Sequence, residues 1–261
     1  MNEPSEKAGV DPAVLGGLLL TVGGILQGAG ASSGRVRITL ARMASAYGFE
    51  SRIAITPRSV VLALQSSDGR TVFNGTGGTD QQGVDFEKVS GISELSWAVA
   101  GDSRPLDQLR EALDALNQAR PYPRPVVLAG AGCAGAAFCF TFGGGAVEMG
   151  ICFIATVCGL YARQQMHRCR FNQYLCVYGG SAVASIVAGA FLKSALDVKP
   201  EIAFATSVLF LVPGVPLINA FTDLLDGNTL NGMVRSVHAV VVSVAIAFGI
   251  LTALLIYRLP L

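Results

Sequence analysis

The chain has 261 residues, of which 51% are hydrophobic and 14% are charged, and its formal net charge is +1. This composition is too apolar for an ordinary soluble protein, and the balanced charge without a Lys/Arg cluster excludes a nucleic-acid-binding surface. Most charged residues precede Pro125, and long uncharged runs follow it. We therefore predict an α+β domain in residues 1–124, ending in a proline-rich linker, and a membrane domain in residues 125–261.

The first apolar stretch, residues 13–31, carries no charge and is nearly long enough to cross a bilayer. Six glycines and Gln27 dilute its hydrophobicity, so we predict a helix buried in the polar domain. A sixth membrane span is the alternative. Glu3 and Glu6 occupy what would be the positively charged start of a signal peptide, which argues against that assignment.

A second helix is predicted after Ser32 or Ser33, either of which can cap its N-terminus. Its apolar residues recur at helical spacing and predict one apolar face, formed by Val36, Leu40, Met43 and Tyr47. The helix is predicted to end at Gly48. The runs RIAIT, SVVLALQS and TVFNG are then typical of strands, with a hairpin at residues 67–69. The run GVDFEKVSG is predicted as a further strand before a final helical part that starts at ISELSW.

Five segments approach the roughly 20 apolar residues that a membrane span requires. They are residues 126–142, 146–162, 174–192, 202–225 and 237–257. The first three are rich in glycine, alanine and cysteine, and small residues let helix backbones approach closely in lipid. The fold class predicted is therefore a polytopic α-helical bundle of about five transmembrane helices preceded by an α+β cytoplasmic domain.

Arginines in the short loops predict the orientation, because cytoplasmic loops carry an excess of Lys and Arg. Arg124 precedes the first span, Arg168 and Arg170 follow the second, and Arg235 follows the fourth. Arg163 is assigned to the same loop as Arg168. This bias predicts a cytoplasmic N-terminal domain and a C-terminus on the opposite side of the membrane.

The fourth span is interrupted by Pro213, Gly214 and Pro216. A proline inside a helix removes a backbone hydrogen bond and clashes with the preceding turn. Freed backbone groups in a membrane survive only where protein or a water-filled cavity satisfies them, and transporters use such broken helices to build substrate and ion sites. We therefore predict that this break belongs to a substrate or ion pathway.

Polar residues follow the break at Asn219, Asp223 and Asp226, spaced i, i+4, i+7. In a continuous helix they fall within about 60° of one another on one face. Ionisable residues at membrane depth usually face a bundle interior or a pathway. The alternatives are an acid solvated at the cytoplasmic edge for Asp223 and an ordinary helix stop for Asp226.

Two basic residues, Arg235 and His238, lie three apart at the start of the fifth span. Arg235 is a candidate partner for an aspartate or an anionic substrate, and a histidine can carry a proton at near-neutral pH. A positive-inside anchor and a histidine at a helix end are the alternatives. Glu148, near the outer end of the second span, is a weaker candidate for a gate or cation site.

The sequence VPGVPLINAFTDLLDGNTLNGMVR, residues 212–235, resembles the signature of the bacterial threonine/serine exporter family (ThrE/YjjP type). The pattern is V-P-G-x-P-x-x-N-x-x-x-D-x-x-x-G, and GAGASSGRV, RMASAYGF and the proline-rich linker also resemble the family. Asp85 and Phe86 depart from it, since Asn and Leu are expected there. The resemblance implies export of threonine and serine or, in split members, of succinate, by a larger subunit together with a small membrane partner subunit.

These observations predict a subunit of an inner-membrane secondary exporter of small polar metabolites, in an oligomeric assembly within the lipid bilayer. The alternative is a membrane-anchored regulatory or signalling protein whose cytoplasmic domain binds a ligand or partner. We predict that the chain is not an enzyme and has no cofactor or metal. The N-terminal domain lacks His and Cys, and the six cysteines of the chain, all between Cys133 and Cys176, show no CxxC spacing.

Overall fold

The structure is a computed structural model that describes residues 10–79, 83–102, 105–118, 122–192 and 200–258. It divides the chain into two compact units, residues 1–120 with 215–236 and residues 121–214 with 237–261. The segment 215–236 thus belongs to the first unit, whereas the predicted boundary at residue 124 assigns it to the membrane domain. Lys193 and Lys199, in the loop predicted after the third span, lie outside the described residues.

The fold is mostly helical, with one small sheet. Its helices and strands are α1 (Pro12–Gly28), α2 (Ser33–Ala46), β1 (Glu50–Thr56), β2 (Ser59–Gln65), β3 (Thr71–Gly78), α3 (Phe86–Gly101), α4 (Leu106–Gln118), α5 (Arg124–Thr141), α6 (Ala146–Arg168), α7 (Gln173–Leu192), α8 (Pro200–Ser207), α9 (Gly214–Leu225) and α10 (Thr229–Tyr257). One turn of 3₁₀ helix, Leu209–Leu211, lies between α8 and α9.

The first unit contains an antiparallel sheet in the order β1-β2-β3. In the central strand β2, Val60, Leu62 and Leu64 are fully buried because alternate residues of a strand point to the same face. The predicted hairpin between β2 and β3 is confirmed, and Gly69 adopts a positive φ of 79° in its turn. The sheet thus presents one apolar face to the helices of its unit.

Helix α1 forms the centre of the first unit. Its apolar residues Leu15, Leu19, Val22 and Leu26 pack in one core with α2, β2, α3 and α4. Gln27 holds its C-terminal end, because the side-chain amide donates to the Thr56 carbonyl and accepts from the Thr79 hydroxyl. The prediction of a buried helix in residues 13–31 is therefore confirmed for Pro12–Gly28, and residues 29–31 form the turn that follows it.

The predicted strand GVDFEKVSG is wrong. Residues 83–85 are irregular and α3 begins at Phe86, because the Asp85 carboxylate accepts a hydrogen bond from the Lys88 N–H at 3.1 Å and caps the helix. The buried residues Val89, Ile92 and Val99 recur at helical spacing, which overrides the short strand-like pattern. The helix predicted after Ser32 is confirmed, with Ser32 as its N-cap.

The second unit contains α5 to α8 and the part of α10 from Val237 onward. Among the described residues, α5, α6, α7 and α10 are each long and apolar enough to cross a membrane, and α8 to α9 form one bent pair that makes a fifth if it is a single span. Close packing of α6 on α7 involves Gly159, where an added Cβ would lie 2.7 Å from the Gly180 carbonyl oxygen. Arg163 was assigned to a loop incorrectly, because α6 continues to Arg168.

Candidate functional site

The break predicted in the fourth span is present. Val212 has extended backbone angles, Pro213 is buried, and the two helical parts on either side differ in direction by 64°. Pro216 lies in the first turn of α9, where its missing N–H would have no helical partner in any case. The prolines therefore end one helix and begin another.

After the break, α9 contacts the turn between α1 and α2, residues 29–32. The Asn219 side-chain amide donates to the Gly30 carbonyl at 2.6 Å, and the Arg235 guanidinium donates through Nη2 to the Ala31 carbonyl at 2.9 Å. These carbonyls follow the C-terminal end of α1, where backbone oxygens need external donors and a cation is favourable. Asn219 and Arg235 thus connect α9 and the start of α10 to the turn that follows α1.

Asp223 lies at the opposite kind of helix end, the N-terminus of α2. Its Oδ1 accepts from the Ser33 backbone N–H at 3.0 Å, and its Oδ2 accepts from the Ser33 hydroxyl at 3.1 Å. A carboxylate is stabilised there by the unpaired N–H groups and the positive end of the helix dipole. Asp223 is 0% exposed, so protein groups contact its carboxylate in place of bulk water.

Asp223 and Arg235 pair with each other. The Arg235 Nε lies 3.4 Å from the Asp223 Oδ2, and 20% of the Arg235 side chain remains exposed. Asn231 extends the same network by donating from Nδ2 to the Ser33 hydroxyl and to the Ile55 carbonyl, both at 2.9 Å. We call Ser33, Asn219, Asp223, Asn231 and Arg235 the Asp223 network.

Unpaired polar atoms remain next to this network. In the described part of the chain, the buried Asn231 Oδ1 has no hydrogen-bond donor, and the buried Asn228 Nδ2 has no acceptor. The other end of the Asn228 amide accepts from Arg37 Nη2 at 2.8 Å, which fixes the orientation of the side chain. An acceptor and a donor are therefore free to bind water or a polar ligand.

Asp226 lies just past the end of α9, as the alternative of an ordinary helix stop predicted. Helix α9 ends at Leu225, and Gly227 adopts a positive φ of 77°, which turns the chain toward α10. The Asp226 carboxylate is exposed and has no hydrogen bond or ion pair with any described residue. Its Oδ2 would lie 3.0 Å from a Cβ added at Gly34, so it remains close to the N-terminus of α2.

The two remaining candidate residues, His238 and Glu148, form contacts outside the Asp223 network. His238 Nδ1 lies 3.0 Å from the Tyr174 hydroxyl in the second unit, so its ring contacts α7 rather than an aspartate. Glu148 is buried and accepts from the Gly145 N–H at 2.9 Å, the arrangement in which a glutamate in the first turn caps its own helix. Their roles in a pathway stay predictions.

Sequence reasoning missed Ser33 and Asn231 as members of the site. Ser33 was considered only as a helix cap, although SSG follows the apolar helix α1, and Asn231 lies inside the quoted signature at the start of α10. Among the residues that the structure describes, no group of three or more His, Cys, Asp or Glu side chains is placed to hold a metal ion.

Comparison with known proteins identifies the family. The model of the family described as "Putative threonine/serine exporter" matches residues 17–257. The "Probable succinate transporter subunit YjjP" of Klebsiella aerogenes is 29% identical over 236 residues, covering 88% of this chain and 89% of that protein. Its counterpart of the same name in Escherichia coli K12 is 27% identical over 233 residues, covering 88% of this chain and 90% of that protein.

A longer relative also matches. The "Threonine/serine exporter" of Corynebacterium glutamicum is 24% identical over 243 residues, which is 89% of this chain and 49% of that protein. No solved structure matches. The apolar helices of membrane length agree with a membrane location. The family match extends over nearly the whole chain and includes every residue of the Asp223 network, so this chain belongs to the threonine/serine exporter family.

Proposed function

We propose that this chain is the larger subunit of a secondary exporter of small polar carboxylates in a bacterial inner membrane. The observation that carries the proposal is the Asp223–Arg235 pair, in which the acid is fully buried and the arginine is partly accessible. Family membership supplies the general activity, transport across a membrane. The driving force is an ion gradient or the substrate gradient itself.

Arg235 is the residue proposed to bind the carboxylate of the substrate. A guanidinium has five N–H donors, and its contacts with Asp223 and Ala31 use two of its nitrogens. Arginine pairs with carboxylates through a planar, two-pronged contact, which the accessible edge of this side chain can still provide. Asp223, fixed by the N-terminus of α2, would hold the guanidinium in place while the substrate binds and leaves.

The substrate is either a dicarboxylate such as succinate or the amino acids threonine and serine, as the names of the relatives suggest. These substrates differ in charge, because succinate carries a second carboxylate whereas the amino acids carry an ammonium that needs an acceptor or an anion. The exposed Asp226 carboxylate and the free Asn231 Oδ1 are the acceptors near the Asp223 network. A zwitterion would use them, whereas a dianion would be repelled by Asp226.

A small membrane protein of the same family is proposed as the partner. The two relatives of similar length are named subunits, and this chain matches only about half of the longer Corynebacterium protein. The unmatched half of that longer protein would correspond to the small partner subunit. We further propose that the N-terminal domain is cytoplasmic, that the C-terminus is periplasmic, and that the transporter is an oligomeric assembly.

Uptake into inside-out membrane vesicles tests this function. Labelled succinate, threonine and serine are measured with and without the chain, with and without the small partner, and with Arg235→Gln. We expect one substrate class to require both proteins and to lose most of its transport in the variant. Asp226→Asn should reduce uptake of threonine and serine but leave succinate uptake unchanged or raised.

Three results would contradict the separate parts of the proposal. No chain-dependent uptake of any of the three compounds would refute the exporter function and would favour the regulatory alternative. Full transport without the second protein would refute the split assembly. Unchanged transport by folded Arg235→Gln would refute the role of the arginine.

A further inference from the structure

Helix α9 is amphipathic, and its apolar face is uncovered. At about 100° per residue, its large apolar side chains fall within an arc of about 120°, opposite Asn219 and Asp223. They are Leu217, Ile218, Phe221, Leu224 and Leu225, all of them exposed. Ile218 is 68% exposed and Leu225 is 72% exposed, which leaves a continuous apolar surface on a helix whose opposite face forms hydrogen bonds through Asn219 and Asp223.

The same surface continues onto the first two turns of α10. Leu230, Met233 and Val234 are also exposed, and the turn between the two helices, residues 226–228, is only three residues long. We call these eight apolar residues, five on α9 and three on α10, the α9–α10 apolar face. An exposed apolar surface of this extent is unusual on a soluble domain and marks contact with protein or lipid.

The length of α10 indicates the depth at which this face lies relative to a bilayer. Helix α10 has 29 residues, about 43 Å, whereas the hydrocarbon core of a bilayer is about 30 Å thick. The excess is about nine residues, and Arg235 and His238 place it at the N-terminal end, because the stretch from Ala239 to Tyr257 carries no charge. The first two turns of α10 would therefore lie at the level of the lipid headgroups.

Helix α9 is too short to cross a membrane. Its 12 residues extend about 18 Å, and its polar face is bonded to the α1–α2 turn within the first unit. It joins α10 directly at the end that we assign to the headgroup level. A helix with one apolar face and one polar face at this level lies in the plane of the interface, with its apolar side about 5–10 Å into the boundary of the acyl chains.

We propose that the α9–α10 apolar face is a lipid-binding surface that seats the first unit on the membrane. The level assigned to it and its chemistry both favour lipid as the occupant, since none of its eight exposed side chains carries a charge or an N–H or O–H group that would need a partner on another protein. On this assignment α9 is an interfacial helix, not the inner half of the fourth span. The proposal does not depend on transport activity or on the identity of the substrate.

Fluorescence quenching by brominated phospholipids in vesicles containing the full chain tests this surface. The native Trp97 is replaced with phenylalanine, and one tryptophan is introduced by Phe221→Trp on α9. Phe248→Trp, at an exposed position well inside α10, is the matched deep reference. Bromine is placed either near the headgroups or near the bilayer centre. We expect Phe221→Trp to be quenched more by shallow bromine and Phe248→Trp more by deep bromine.

The other outcomes contradict the proposal. Stronger quenching of Phe221→Trp by deep bromine would make α9 part of a true span. No quenching at either depth would mean that water, a second copy or another protein covers the face. Because α9 carries no basic residue, quenching should be equal in zwitterionic and anionic vesicles. If Phe221→Trp does not fold, Ile218→Trp on the same face replaces it.

Discussion

Replacing Asp223 with asparagine tests whether the Asp223 network holds the first unit together. The two side chains have nearly the same shape, so the change removes a negative charge without opening a cavity. The asparagine oxygen can still accept from the Ser33 backbone N–H. Its NH₂ group, however, faces the Arg235 guanidinium, so two donors oppose each other where Oδ2 lay 3.4 Å from Nε, and the Ser33 hydroxyl loses the acceptor that it had at 3.1 Å.

The expected loss of stability follows from the burial of this pair. Removing one partner of a buried ion pair costs about 3–5 kcal/mol, because the other charge remains without compensation. Arg235 keeps 20% of its side chain exposed and still donates to the Ala31 carbonyl, so we expect the lower end of that range, about 3 kcal/mol. At 1.36 kcal/mol per factor of ten, local opening becomes roughly 150-fold more frequent.

Hydrogen–deuterium exchange of the Ser33 amide measures this opening directly, because this N–H donates to the Asp223 carboxylate. The matched control is Asp226→Asn, three residues further on, where an exposed carboxylate is neutralised in the same way. Most surface substitutions change stability by less than about 0.5 kcal/mol, so the control should change exchange by no more than about twofold. Equal exchange in the two variants would refute the argument that buried charge pairing stabilises this region.

Four further substitutions are expected to have separate effects. An added Cβ at Gly232 would lie 2.6 Å from Leu224 Cγ, so Gly232→Ala should force α9 from α10 at a cost of about 1–3 kcal/mol, measured by pulse proteolysis. Asn231→Ala removes two hydrogen bonds and should cost about 1–3 kcal/mol in the same assay; a smaller loss would mean that water replaces the amide. His238→Gln should flatten the pH profile of transport if the ring carries protons, whereas Tyr174→Phe should preserve the profile and lose only the 3.0 Å contact. Identical pH profiles in these two variants would contradict a proton-carrying role for the histidine.

Much of the secondary structure could be predicted because its signals are local. The face of α2, the hairpin at Gly69 and the apolar helices after Pro125 all follow from residue spacing and composition over short windows. The strand predicted at Asp85 failed for a local reason too, since a single capping carboxylate started α3. For Asp226, the alternative of an ordinary helix stop agrees with the end of α9 at Leu225, and this end too follows from a local signal, the glycine at position 227.

The sequence by itself determined that this chain has apolar helices of membrane length, that a double proline breaks one of them, and that polar residues follow the break. Each of these depends on the conformational limits of proline or on the hydropathy of one continuous segment. Only the tertiary structure decided what Asp223 contacts. Its partner Ser33 lies 190 residues away in the chain, and a helix end attracts a carboxylate only once folding has brought the two together.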